Sequence, residues 1–162
     1  MPPTRRHGQS AGILLHRRRG EQLEVLLVHP GGPFWARRDL GAWSIPKGEY
    51  GPDEDPLMAA RREFEEELGV EPPASAARYL GEIRQKGGKS VRAWALEGDL
   101  DADRVVSNTF PLQWPPRSGQ WIQVPEVDRA EWFGLDEARE RINPAQAALL
   151  DRLVDADTEV DP

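Results

Sequence analysis

The sequence predicts a single mixed α/β domain, and three observations predict it. Two short segments rich in Ile, Leu and Val lie close together near the N-terminus, one helix carries both its start and its stop signal, and a hairpin is followed by two helical patterns. At 162 residues, with 38% apolar residues and six Trp, the chain is long enough to bury a core and short for two domains. The domain is expected to span 10–154, between a flexible N-terminus over 1–9 and a flexible tail over 155–162.

The first two elements are "SAGILLHR" and "LEVLLVHP", read as strands on either side of the charged turn "RRRGEQ". "AWSIPKG" is a short extended segment stopped by Pro46 and Gly48. Asp55 can cap, and Pro56 can occupy the first position of, a helix that runs to Leu68 and stops at Gly69. Leu57, Ala60, Phe64 and Leu68 recur at spacings of three and four, so that side of the helix faces the core. "ARYLGEIRQK" and "KSVRAWALEG" flank Gly87 and Gly88, which predicts a hairpin with a two-residue turn. "DRVVSNTFPLQWPPRSGQW" is too rich in Pro and polar residues for regular structure and is expected to be a long surface loop. "LDEARERI" and "PAQAALLDRLV" are helices split at Pro144.

Composition removes several chemistries. Without cysteine there are no disulfides, thiolate metal sites or cysteine nucleophiles. No apolar run reaches 18 residues and no secretory signal is legible, so the expectation is a soluble, cytoplasmic protein with no membrane partner. The net charge of −7 is concentrated: Gly48 to Glu71 holds nine acids against Arg61 and Arg62, while Met1 to Lys47 has a surplus of five cationic side chains. An acidic knot in a basic surround suits a site that takes cations and an anionic ligand together. A solvated acidic helix is the plain alternative.

Helical geometry sharpens the first reading. Glu63, Glu66 and Glu67 are three and four positions apart and share a face, roughly 100° from the Phe64 stripe. They approach the helix C-terminus, where each negative charge is disfavoured by about 0.3 to 1 kcal/mol. Arg62 is four before Glu66 and can tether it, but one Arg does not neutralise three acids. Mg²⁺ and Mn²⁺ prefer oxygen ligands of this kind. Glu65 points elsewhere, toward solvent.

Gly48, Glu54, Arg62, Glu63, Phe64, Glu66, Glu67, Gly69 and Val70 fit without a gap the pattern Gly, five residues, Glu, seven residues, Arg-Glu-apolar, one residue, Glu-Glu, one residue, Gly-apolar. This stretch resembles the Nudix box, and "WSIPKG" before it and "EVDRAEWFGLDEA" after it resemble segments that flank the box in Nudix hydrolases. The resemblance implies the Nudix fold, an α/β/α sandwich with a mixed β-sheet. It also implies hydrolysis of a nucleoside diphosphate linked to a group X, by water attack on phosphorus with Mg²⁺ or Mn²⁺ as cofactor.

By match to the box, Glu63, Glu66 and Glu67 are the implied metal-binding acids, with the Lys47 backbone carbonyl as a further ligand. Arg62 is implied to hold carboxylates in place, Gly48 to let the loop turn tightly, Glu54 to orient the loop or Arg62, and Gly69 to end the helix. The water-activating base is left open among the acids, with Glu66 placed first. The family tends to put one more acid outside the box, here Glu126, with Glu131 and Glu97 as competitors.

Substrate contacts follow from chemistry rather than spacing. "GGPFWARRD" sets Phe34 and Trp35 beside Arg37 and Arg38, an aromatic and cationic lid, while Lys86, Lys89, Arg84 and Arg92 lie in or beside the hairpin. Phe110, Trp114 and Trp121 can stack on a base or anchor their loop. His7, His16 and His29 show no metal-ligand spacing.

The first functional reading is a pyrophosphohydrolase of nucleoside triphosphates or dinucleoside polyphosphates, since the lead-in "WSIPKG" resembles diadenosine polyphosphate hydrolases. An isopentenyl diphosphate-type isomerase of the same fold would want a cysteine, which the chain lacks. A nucleotide-sensing or binding domain without turnover usually carries a degraded box, and this box is intact. The expected partner is a nucleotide or other diphosphate-containing small molecule, not a nucleic acid. The identity of X and the oligomeric state are left open.

Overall fold

The computed structural model describes residues 8–159. Of the expected flexible N-terminus over 1–9, residues 1–7, His7 included, lie outside the described residues, as do the last three residues of the chain, whereas Gln9 already begins the first strand.

The strands form a mixed sheet with path order β4 (Arg78–Arg84), β5 (Ser90–Glu97), β1 (Gln9–Arg19), β2 (Gln22–Pro30), β8 (Val127–Gly134). The two apolar segments become β1 (Gln9–Arg19) and β2 (Gln22–Pro30), paired antiparallel, with His16 opposite Val25. β1 pairs parallel with β5 (Ser90–Glu97), and β5 pairs antiparallel with β4 (Arg78–Arg84). On the far side β8 (Val127–Gly134) pairs antiparallel with β2. The short strand β3 (Lys47–Glu49) adds to the first part of β1, with Ala11 opposite Gly48.

β1 reads as a continuous apolar run because it is covered on both faces. Ile13 and Leu15 pack with Ala59, Ala60, Phe64 and Leu68 of α1 (Pro56–Leu68), whereas Leu14 packs with Trp43, Leu149 and Leu150 on the opposite face. That second face is closed by α2 (Leu135–Arg141) and α3 (Ala147–Glu159), separated by a single turn at Pro144. The result is the expected α/β/α sandwich.

The helix signals act as read. The Asp55 side chain accepts from the Met58 N–H at 3.1 Å, Pro56 occupies the first turn, and Gly69 ends the helix at φ 75°. Phe64 and Leu68 are fully buried, each worth about 1.5 to 3 kcal/mol of apolar transfer. This burial fixes the rotation of α1 and therefore the direction in which its acids point.

Four expectations change. The hairpin turn spans 85–89 rather than two residues: Arg84 faces Ser90, Gln85 N–H donates to the Lys89 carbonyl at 2.6 Å, and both glycines have positive φ. The "AWSIPKG" segment is not stopped by Gly48, because β3 runs through it to Glu49. The presumed surface loop contains β6 (Thr109–Gln113), paired with β7 (Trp121–Pro125) in a two-stranded ribbon that sets Phe110 opposite Val124. Helix α3 continues to Glu159, and Arg78 donates to the Ala156 carbonyl, so the first part of the expected loose tail is helical.

Candidate functional site

The site forms where α1, β3 and the corner between β7 and β8 meet. Glu63 and Glu67 project from α1 and are both buried, and Glu126 joins them from the β7–β8 corner. One carboxylate oxygen from each of the three lies within 4.8 Å of the others.

Gly48 is needed for close approach rather than for a tight turn. A Cβ at this position would overlap the Glu63 carboxylate, so the acid rests directly on the backbone of β3. This corrects the sequence reading while explaining why a glycine opens the box.

Arg62 organises the outer side of the cluster. Its guanidinium bonds Glu54 through Nε at 2.8 Å and through Nη2 at 3.0 Å, while Nη1 reaches Glu63 at 2.8 Å and Glu66 at 3.2 Å. The fork to Glu54 raises the Arg62 pKa above its ordinary value and holds Glu54 below the usual carboxylate range. Glu54 therefore orients Arg62, and Arg62 orients two acids of the box. Glu66 stays half-exposed beside the trio, and Glu65 faces solvent as expected.

The electrostatics of the trio are unfavourable to three negative charges. Burial, followed by the charges of Glu126 and Glu63, pushes the Glu67 carboxyl up to about 8. Burial likewise raises Glu63, against the hydrogen bond from Arg62, and raises Glu126 with the charge of Glu66 adding to it. Lys47 provides part of the compensation: its backbone hydrogen-bonds Glu67, and its ammonium is attracted to Glu67, Glu49 and Glu63. Burial nevertheless pushes the Lys47 pKa down, aided by the nearby charge of Lys89. Hard oxygen donors that are buried together with too little positive charge fit a divalent cation.

The remaining candidates divide. Gly31, at the start of the aromatic segment, donates its N–H to the Glu126 carbonyl at 3.0 Å, so that segment leaves from the site. Within it Arg38 stacks over Phe34 at 4.2 Å, Phe34 meets Trp35 edge to face, and Trp35 is half-buried against the α2 and α3 core. Arg37 is exposed. Lys86 is exposed in the hairpin turn, whereas the charge of Lys89 is the one felt at Lys47. Glu131 lines a separate cleft with Arg17 and Trp132, and Glu97 lines another with His16 and Arg78. His29 is buried between the Asp128 carboxylate and the Arg38 carbonyl, a structural position.

Sequence reasoning missed Asn108, which lies between α1 and Glu126. Its backbone N–H donates to the Glu66 carbonyl at 3.0 Å and its carbonyl accepts from the Glu126 N–H at 3.0 Å. Inside a segment read as irregular loop, no periodicity marks it.

The NUDIX domain family model matches residues 6–153. The chain belongs to the Nudix hydrolase superfamily. A Nudix architecture recurs in a Caenorhabditis elegans Ap4A hydrolase binary complex, at a TM-score of 0.67 and 21% identity, covering 93% of this chain and 98% of that one. It recurs in the NUDIX domain of Shewanella oneidensis NrtR complexed with ADP ribose, at a TM-score of 0.62 and 19% identity, covering 92% and 87%. Among curated proteins, an octanoyltransferase of Myxococcus xanthus is 30% identical over 142 residues, which are 87% of this chain. The chain spans only 34% of that protein's length. At such identities the structural neighbours show the fold alone. No described helix is long and apolar enough to cross a membrane.

Proposed function

We propose that this Nudix protein is a divalent-metal-dependent pyrophosphohydrolase. Its substrate is a nucleoside diphosphate linked to X, such as a nucleoside triphosphate or a dinucleoside polyphosphate. The observation that carries the reading is the cluster of buried Glu63 and Glu67 with half-buried Glu126, one oxygen of each within 4.8 Å of the others and their charge incompletely balanced. One structural neighbour is an Ap4A hydrolase and another is complexed with ADP ribose, which supports a nucleoside diphosphate derivative as the substrate class.

Glu63, Glu67 and Glu126 would hold Mg²⁺ or Mn²⁺, with the Lys47 carbonyl beside them. The cation would supply Lewis acidity toward phosphoryl oxygens and a lowered pKa for bound water. Glu66, half-exposed and oriented by Arg62, takes the proton of the attacking water as the new P–O bond forms. The anhydride P–O bond breaks in line, and the leaving phosphate departs with the electron pair. Arg37, Arg38 and Lys86 pair with phosphate oxygens, and Trp35 with Phe34 offers an aromatic wall for the base.

The test is incubation of purified protein with Mg²⁺ and nucleoside triphosphates, dinucleoside polyphosphates or ADP-ribose, with products resolved by mass. Turnover of at least one substrate is expected, and Glu66→Gln should lower it about 10² to 10⁴-fold. Nucleotide binding without turnover of any member would favour the binding-domain alternative. Unchanged rates in Glu66→Gln and Glu67→Gln would refute the assignment of these acids.

A further inference from the structure

We propose that Asn108 is a positioning residue that fixes Glu126 to the box helix and thereby sets the spacing of the acid trio. The proposal rests on the reading of Glu63, Glu67 and Glu126 as a divalent-cation site.

Glu126 is remote from the box in sequence and sits at the corner between two strands, where backbone freedom would ordinarily leave a ligand loosely placed. A strap over residues 106–108 removes that freedom. Val106 N–H donates to the Leu68 carbonyl at 3.1 Å and Asn108 N–H to the Glu66 carbonyl at 3.0 Å, so the strap takes up carbonyls left open at the end of α1. The same strap then grips the corner: Glu126 N–H donates to the Asn108 carbonyl, and Val127 N–H donates to the Ser107 hydroxyl, both at 3.0 Å.

The Asn108 side chain completes the link. With its amide nitrogen turned toward the carboxylate, the orientation that satisfies both of its polar atoms, it donates to Glu126 Oε2 at 3.2 Å and to the Glu66 carbonyl at 3.1 Å. One amide thus bridges the helix backbone and the off-box carboxylate. An amide suits this role because it donates two hydrogens without adding charge. A carboxylate would repel Glu126, and a hydroxyl has one hydrogen for two acceptors. Asn108 keeps an exposed flank, so the expected effect lies at the low end of the range for residues that orient metal ligands.

The test is direct Mn²⁺ binding to metal-stripped full-length protein without substrate, followed by the electron paramagnetic resonance of free Mn²⁺. Asn108→Ala is expected to weaken binding about tenfold. In a Glu126→Ala background the same substitution should cost little more, since its effect passes through Glu126. Equal losses in both backgrounds would mean a general structural role and overturn the proposal, as would native affinity in Asn108→Ala. Should the alanine variant fold poorly, Asn108→Asp keeps the shape and the backbone bonds but lacks the donors. It is expected to bind Mn²⁺ more weakly, and native or tighter binding would overturn the proposal. Native affinity in Glu126→Ala alone would instead refute the underlying site reading.

Discussion

Gln146 and Glu67 are both buried polar side chains, one beside α3 and the other on α1, and their surroundings differ in kind. Gln146 is fully enclosed and satisfied: its oxygen accepts from Ile45 N–H at 3.0 Å, and its amide donates to Ser44 Oγ at 2.9 Å and to Gln85 at 3.0 Å. Glu67 has Lys47 as its favourable partner and Glu63 and Glu126 as like charges, and its carboxyl is pushed up to about 8. A satisfied buried amide ties three segments together without further need. A buried carboxyl among carboxylates is costly to the folded chain, and such a group marks a candidate functional site. The same sandwich carries one polar contact that serves folding and another that works against it.

The largest expected effect that would sharpen this contrast is on activity. Glu67→Gln should lower Mg²⁺-dependent turnover at least about a hundredfold, since even the outer partners of metal ligands commonly matter to that extent. The metal-free variant should unfold no earlier than the native chain, because a neutral amide is buried without the cost of first protonating a carboxylate. Thermal unfolding alongside initial rates checks both halves. A smaller effect is expected of Gly48→Ala, whose methyl must displace the Glu63 carboxylate. We expect a loss of about 1 to 3 kcal/mol in denaturant melts and a proportionally larger loss of activity. On the other side of the comparison, Gln146→Leu leaves the Ile45 N–H without its acceptor and should cost about 1 to 3 kcal/mol. Its Mn²⁺ affinity and its rate constant should stay within about twofold of native, in keeping with the independence of distant sites.

Much of this organisation is local and was therefore legible in the chain. Asp55, Pro56 and Gly69 bound a helix by short-range chemistry, and the spacing of Phe64 and Leu68 sets which way Glu63 and Glu67 face. What escaped depends on contacts far apart in sequence. The β6–β7 ribbon was hidden by Pro111, Pro115 and Pro116, since a proline-rich stretch reads as a loop until its partner strand is known. Gly48 was legible as a special position, but its reason, the carboxylate of Glu63 lying on its backbone, comes from packing. The half-burial of Lys47 beside the acids was likewise invisible, because a lysine next to a glycine ordinarily reads as exposed. Asn108 depends on the meeting of a strap, a helix end and a strand corner.

Whether the acids of α1 and Glu126 form a seat for a cation is tested by the pH dependence of metal-free stability. Between roughly pH 4.5 and 8 the folded chain retains a proton on Glu67 that the unfolded chain has released. The stability linked to that proton is therefore fully present below about pH 4.5 and is lost as the pH rises to about 8. For a chain of this size each kcal/mol lost lowers Tm by about 2 to 4 °C. The Tm of the metal-free protein is expected to fall more steeply over this range than that of Glu67→Gln. Mg²⁺ should raise the native Tm most at pH 8 and scarcely move that of the variant. Parallel pH profiles, with equal Mg²⁺ responses in the two proteins, would contradict a cation seat at these acids.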